Sequence, residues 1–166
     1  TILRKYNLSG TEIWNVTFNA VEFGAAYFPE AEPFIIPKDL KEDSNGNIYF
    51  EGGMWDGVLA ASFLTLKFNS TGSLLWNKTY HPDINKGYMP MSIGIDENDS
   101  VYVVGDLVYI GTEMVKYNST GDLIWNETGI HGYGGYNSVA INGSNFFIAG
   151  LSRAYDFDFV KYNYDS

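Results

Sequence analysis

The sequence contains no cysteine, which removes disulfides, thiolate metal sites and cysteine nucleophiles from consideration. Histidine is scarce: His81 and His131 lie in dissimilar stretches and are too few for a multi-histidine metal site. Positive charge is also scarce, since 10 basic residues stand against 20 acidic ones and the net charge is −10. Phosphates would repel such a chain, so we expect no nucleic-acid partner.

Long apolar runs are missing as well, and none approaches the roughly 18 residues that cross a bilayer. We therefore predict no transmembrane segment.

The sequence starts at Thr1 and not at methionine, so we expect either a removed leader or a fragment of a longer protein. The chain does have 17% aromatic residues and 18 glycines in 166 positions. That composition favours one folded domain of short strands and tight turns.

One phrase recurs through the chain and predicts its architecture. Each copy holds Asn-x-Ser/Thr-Gly between two apolar or aromatic runs, a pattern typical of a β-hairpin whose glycine takes a positive φ angle. The full copies are Lys5–Thr17, Lys67–Thr79 and Lys116–Thr128, and a further copy begins at Lys161. A tryptophan follows the glycine at one fixed spacing, and we interpret Trp14, Trp76 and Trp125 as packing anchors between units.

A second hairpin recurs between the copies of this phrase. Its turns are rich in aspartate and asparagine, and the strand after each turn is apolar on both faces. The copies are Asp43–Gly52, Asp96–Gly105 and, more loosely, Ile141–Gly150. Each full unit therefore holds four antiparallel strands, which is typical of a β-propeller blade.

We predict an all-β fold of four-stranded β-propeller blades, about three blades' worth, in a single domain 1–166. The divisions are a hairpin at 1–18, a blade at 19–80 with an inserted loop at 19–38, a blade at 81–129 and an incomplete blade at 130–166. Joining the two ends into one blade would leave a surplus strand. We therefore expect a portion of a larger ring, or a blade completed by a neighbouring copy of the chain.

The combined pattern resembles a known group of proteins. Lys-Tyr/Phe-Asn-x-Ser/Thr-Gly-x-x-Ile/Leu-Trp, followed by Asp-x-x-x-x-Ile/Val-Tyr-x-x-Gly, is similar to the repeats of secreted and surface β-propeller proteins of archaea and bacteria, the SBBP-type families. The spacing in Thr71–Trp76 and Thr120–Trp125 is also similar to the tryptophan-docking repeat of PQQ-like propellers, whose Ala-x-Asp half is missing here. The resemblance implies a propeller fold and a surface location, and its motifs are structural.

The strongest chemical signal is the N-glycosylation tripeptide Asn-x-Ser/Thr, which occurs eight times. The asparagines are Asn7, Asn15, Asn69, Asn77, Asn98, Asn118, Asn126 and Asn142. This excess predicts N-linked glycans at several surface positions of an exported protein. A role of asparagine in turns alone is the alternative.

Two further binding chemistries remain as alternatives. The turns at 43–47 and 96–100 imitate the start of a calcium loop, but its glycine and its final glutamate are missing, which leaves only a looser oxygen-ligand site. The glycine- and tyrosine-rich stretch Gly129–Tyr136 is interpreted as a crossover, with a sugar-binding lip as the alternative. In that case Trp55, Tyr133 and Tyr136 are the expected ligand contacts.

We predict a non-enzymatic glycoprotein, located outside the cell or at its surface, with a structural or adhesive role. It needs no cofactor and no metal, and we expect it to associate with itself, with a polymer built through its terminal strands as one form. The second hypothesis is a carbohydrate- or protein-binding module that uses the blade loops. The third is a glycoside-processing enzyme with paired carboxylates, such as those of Glu30 with Glu32 or of Asp156 with Asp158.

Overall fold

The computed structural model describes residues 1–24, 32–55, 61–81, 87–107, 110–130, 135–143, 145–151 and 157–163. These residues form β-strands and one 3₁₀ turn, Val21–Phe23. The strands are β1 (Ile2–Tyr6), β2 (Glu12–Thr17), β3 (Phe34–Glu42), β4 (Ile48–Trp55), β5 (Ala61–Phe68), β6 (Leu74–Tyr80), β7 (Tyr88–Ile95), β8 (Val101–Leu107), β9 (Gly111–Tyr117), β10 (Leu123–Ile130), β11 (Tyr136–Asn142), β12 (Asn145–Leu151) and β13 (Phe157–Asn163).

The strands form four antiparallel sheets in chain order. Sheet I is β1-β2, sheet II is β3-β4-β5-β6, sheet III is β7-β8-β9-β10 and sheet IV is β11-β12-β13. Strands that follow one another in sequence are neighbours in each sheet. The predicted all-β class and the four-stranded antiparallel sheets are confirmed.

Consecutive sheets pack face to face through apolar clusters. Representative members are Phe18, Phe50 and Leu66 between sheets I and II, Tyr49, Ile93 and Val115 between sheets II and III, and Tyr102, Met114 and Ile148 between sheets III and IV. Sheets II and III are therefore covered on both faces. This explains why their middle strands are apolar at successive positions, as strands buried on both sides are.

The first strands of sheets II, III and IV lie side by side and are joined by hydrogen bonds. The Asp39 carboxylate on β3 accepts from the Ser92 hydroxyl and from the Ile93 amide on β7, both at 3.1 Å. The Ser92 hydroxyl in turn accepts from the Val139 amide on β11 at 3.3 Å. On both β3 and β7 a side-chain oxygen thus accepts a hydrogen bond from a backbone amide of the next sheet.

Strand β3 begins earlier than the sequence analysis predicts, because Phe34–Glu42 includes the end of the stretch 19–38 that was expected to be a loop. Ile35 is only 7% exposed and packs in the cluster between sheets I and II. Pro37 lies at an irregularity in the register on a strand that ends its sheet. Proline is tolerated there because its missing N–H interrupts no continuous ladder of hydrogen bonds.

The tryptophan of one sheet packs on the glycine turn of the next. Trp14 Nε1 donates to the Ser70 carbonyl at 2.9 Å, and Trp76 Nε1 donates to the Ser119 carbonyl at 3.2 Å. Gly72 has a φ angle of +88°, and a β-carbon on it would lie 2.9 Å from a ring atom of Trp14. Glycine is therefore needed at this turn both for its backbone conformation and for the space that the ring occupies.

Trp125 occupies the corresponding position between sheets III and IV. Its ring centroid lies 6.1 Å from that of Tyr102 and 6.3 Å from that of Phe146. Distances of this size are typical of aromatic pairs that stabilise a core.

We predict that Gly72→Ala destabilises the protein more than Gly10→Ala does. Both glycines have positive φ angles, so each alanine should cost about 1 kcal/mol of unfolding free energy from the backbone alone. A β-carbon at Gly10 would meet no atom of the described residues within 4 Å, whereas one at Gly72 would meet the Trp14 ring. The overlap should add roughly 1–3 kcal/mol. Urea denaturation measures both variants, and equal losses would contradict the packing role of Trp14.

Candidate functional site

The eight asparagines of the tripeptides lie at the surface, in two main structural settings. Six are exposed, and Asn69 and Asn118 are half-buried. One set lies in the turns between paired strands. The other set lies within the last strands of sheets I, II and III, which are β2, β6 and β10.

The turn asparagines Asn7, Asn69 and Asn118 hold the backbone of their turns. Asn69 Oδ1 accepts from the Thr71 amide at 3.0 Å, from the Thr71 hydroxyl at 2.8 Å and from the Ser73 amide at 2.9 Å. The other two asparagines make the same three kinds of contact in their own turns. Both polar residues of the tripeptide therefore have a structural function here.

The last-strand asparagines have no such function. Asn15, Asn77 and Asn126 are exposed in the middle of their strands. The Asn15 amide donates to the exposed Glu12 carboxylate at 2.6 Å. No side-chain hydrogen bond joins Asn77 or Asn126 to the described part of the chain. Asparagine is disfavoured in strands, so local backbone chemistry does not explain this set.

The two remaining asparagines belong to the hairpins between first and second strands. Asn98 is exposed, and its backbone amide donates to Asp96 Oδ1 at 2.9 Å. Asn142 is exposed at the end of β11 and pairs with Asn145. Ser144, the hydroxyl residue of the Asn142 tripeptide, lies outside the described residues.

The acidic turn of sheet II is neutralised by a lysine. Asp43 Oδ1 accepts from the amides of Asn45 and Asn47 at 2.9 Å each, and Oδ2 accepts from the Asn47 side chain at 2.8 Å. Lys67 Nζ lies 3.8 Å from Asp43 Oδ2 and 4.7 Å from the centroid of the Tyr49 ring. Burial would raise the pKa of the Asp43 carboxyl, but the hydrogen bonds and the Lys67 charge outweigh it, so this pKa lies below its usual value.

Sheet III repeats this arrangement. Asp96 Oδ1 accepts from the Asn98 and Ser100 amides, and Lys116 Nζ lies 3.8 Å from Asp96 Oδ2. The lysine lies 4.7 Å from the centroid of the Tyr102 ring. At both turns an ammonium group supplies the positive charge beside the carboxylate. Among the described residues, no group of three histidine, aspartate or glutamate side chains is placed to hold a metal ion.

Two glutamates are buried between sheets II and III, and both are 0% exposed. Glu51 Oε2 accepts from the Thr65 hydroxyl at 2.7 Å, while its Oε1 has no hydrogen-bond partner in the described part of the chain. Burial raises the pKa of Glu51 well above its usual value. Glu113 accepts a hydrogen bond from the Tyr80 hydroxyl, and burial together with this contact raises the pKa of Tyr80.

Two of the expected ligand contacts lie in different sheets, Trp55 in sheet II and Tyr136 in sheet IV. Trp55 lies at the end of β4 and stacks on Phe34, with ring centroids 6.4 Å apart. Tyr136 is 1% exposed in the cluster between sheets III and IV, so its side chain offers no surface to a ligand. It was predicted as a loop residue, but it begins β11, where its apolar ring is drawn into the core. Tyr133 lies outside the described residues.

Two open clefts follow the edge of β1 that no described strand pairs with. Their volumes are about 340 and 300 Å³, and both linings include Leu3 and Leu40. Leu40 on β3 is 48% exposed, and Tyr6 on β1 is 51% exposed. The clefts thus join an unpaired strand edge to exposed apolar side chains of sheet II.

Comparison with protein-family models and with curated proteins found no match to this chain. In the described part of the chain no helix is long and apolar enough to cross a membrane.

We predict opposite pH dependences for Glu51→Gln and Asp43→Asn. The pKa of Glu51 is raised in the folded protein, so the stability of the wild type falls as pH rises from the usual glutamate pKa of 4.5 through the folded pKa. Over that range the stability of Glu51→Gln relative to the wild type should therefore increase. The folded pKa of Asp43 is lowered, so the wild-type advantage over Asp43→Asn should be present above 3.8 and disappear as pH falls through the folded pKa. Thermal unfolding at several pH values measures both differences. A Glu51→Gln difference that does not change with pH would contradict the burial of this carboxyl.

Proposed function

We propose that this chain is a non-enzymatic exported glycoprotein, built of β-propeller blades, with a structural or adhesive role at a cell surface or in an extracellular assembly. One observation carries the proposal. The same tripeptide, with its asparagine and threonine exposed, recurs on the last strand of three consecutive sheets, where the asparagine makes none of the backbone contacts that the turn asparagines make. A repeated glycan acceptor on repeated outer strands is what a surface protein with a scaffold role would present.

The propeller architecture is supported by the contacts between sheets. The tryptophan-to-turn hydrogen bond joins sheet I to II and sheet II to III in the same way. The hydrogen bonds among first strands pass from sheet II to III and from III to IV. Blades that radiate from a shared axis repeat their contacts in this manner. The resemblance to repeats of secreted and surface propeller proteins supports the same architecture and the same location.

The structural role is supported by where the carboxylates lie. Glu51 and Glu113 are enclosed between sheets, and Asp43 and Asp96 are committed to their turns and to lysines. Glu113, Asp43 and Asp96 have hydrogen-bond or ion-pair partners within the fold, and Glu51 is enclosed with its Oε2 bonded to Thr65. The placement of these four acidic groups therefore favours a scaffold over a catalyst.

Self-association through β1 is the form of assembly that we favour. An unpaired strand edge is a template for a strand from another molecule. The clefts beside β1 would take the side chains of that strand, with Leu40 and Tyr6 in contact with it. A second copy of the chain is the partner that fits a protein of repeated sheets.

Assembly through β1 predicts that Leu40→Glu lowers the molar mass of the purified protein to that of a monomer. The added charge would be buried beside the incoming strand, while the free chain leaves Leu40 48% exposed and should remain folded. Leu123→Glu is the matched control, since Leu123 is 51% exposed on β10, away from the clefts. Light scattering measures the molar mass. A monomeric wild type, or a Leu40→Glu protein that assembles like the control, would overturn this part of the proposal.

The proposed location predicts that protease added to intact native cells digests the protein, or that the protein is found in the medium. Immunoblotting before and after treatment measures this, with a cytoplasmic protein as the control for cell integrity. Complete protection in intact cells together with digestion after lysis would contradict a surface or extracellular location.

A further inference from the structure

Three last strands present the same three kinds of side chain on one exposed face. In β2 these are Ile13, Asn15 and Thr17, which alternate with the half-buried Trp14 and Val16. Strands β6 and β10 repeat the arrangement, with Leu75, Asn77 and Thr79 and with Ile124, Asn126 and Thr128. The register shifts at the apolar residue, but exposed and half-buried positions still alternate from it to the threonine, so each asparagine lies between these two on the exposed face.

The apolar member of each face is at least half open to solvent. Ile13 is 56% exposed, Leu75 is 51% exposed and Ile124 is 50% exposed. Each lies on a strand that ends its sheet and is paired on one edge only in the described residues. An apolar strand at a sheet edge is prone to pair with other chains, so this surface needs cover.

The three copies keep the tryptophan, the asparagine and the threonine, while the residue between the asparagine and the threonine varies. The middle residue is Val16, Lys78 or Glu127, which are apolar, basic and acidic. Asparagine and threonine are the same in all three.

In the turn tripeptides the asparagine and the hydroxyl residue are both held by hydrogen bonds within the turn. In the last strands Asn15 contacts Glu12 and the Thr79 hydroxyl donates to the Phe23 carbonyl at 3.2 Å, and neither contact holds a turn.

We propose that Asn15, Asn77 and Asn126 are the principal glycan-bearing sites, and that each glycan lies over the apolar residue two positions before it. This inference rests on the proposed function and specifies which of the eight tripeptides serve it. The glycans supply a hydrophilic cover over Ile13, Leu75 and Ile124 and keep other strands from the edges of β2, β6 and β10.

The covalent step requires an activated sugar, which we identify by class as a lipid-phosphate-linked glycan. The asparagine Nδ2 forms a bond to the anomeric carbon, and the bond between that carbon and the phosphate oxygen breaks. The lipid phosphate departs with the electron pair of that bond and takes up the proton that the amide loses, so no oxidant or reductant is needed. Asn77 and Asn126 have no side-chain hydrogen bond to the described residues to give up, and Asn15 gives up only its contact with Glu12.

Glycopeptide mass spectrometry of protein from its native source tests the assignment site by site. We expect the peptides that contain Asn15, Asn77 and Asn126 to carry sugar. Sugar confined to Asn7, Asn69 and Asn118 would overturn this inference and leave the proposed glycoprotein intact. Unmodified asparagines at all eight positions would overturn both.

The covering role is tested with variants in a host that modifies the wild-type chain. The triple variant Asn15→Gln, Asn77→Gln, Asn126→Gln should aggregate at a severalfold lower protein concentration, measured by light scattering. Adding Ile13→Thr, Leu75→Thr and Ile124→Thr should restore the wild-type threshold, because the surface that needs cover is then polar. A triple asparagine variant that stays as soluble as the wild type would overturn the covering role.

Discussion

Face-to-face contact between consecutive sheets is the constraint on which the rest of this structure depends. No described sheet buries both of its faces alone, and each core cluster is assembled from two sheets. A tryptophan bonded to the next glycine turn fixes the contact of sheet I with II and of sheet II with III. The Asp39 and Ser92 hydrogen bonds fix the first strands of sheets II and III and of sheets III and IV. Apolar burial supplies the driving force, and these directional bonds set the position of one sheet on another.

The polar residues of the repeat fall into three groups that differ in what they contact in the stacked sheets. The aspartates of the acidic turns form ion pairs with lysines, and in sheet II the side chains of Lys67 and Asp43 are nearly enclosed. The turn asparagines use their side-chain oxygen to hold the backbone. The last-strand asparagines take part in neither of these contacts and lie on exposed faces of β2, β6 and β10. Their chemistry is therefore available for modification or for contact with other molecules.

Much of the fold could be predicted from the sequence because the repeat shows both where the chain turns and which strands are buried. The asparagine and glycine of each turn identify the hairpin, and the apolar run after each aspartate turn identifies a strand buried on both faces. The start of β3 was not predictable in this way, since Pro37 indicates a loop unless the strand is known to end its sheet. The buried Glu51 and Glu113 were also missed. An acidic residue in an apolar strand is visible in the sequence, but which sheet encloses it depends on tertiary packing. The separation of the last-strand asparagines from the turn asparagines likewise required the register of the strands.

Two-sided burial has a consequence for how the molecule opens. Sheets II and III each belong to two core clusters, so neither can separate from its neighbours without exposing apolar side chains on both faces at once. Sheets I and IV each belong to one cluster of the described residues and can detach at a smaller free-energy cost. Amide protons should therefore exchange with solvent deuterium in a gradient, slowest in β4, β5, β8 and β9 and faster in sheets I and IV.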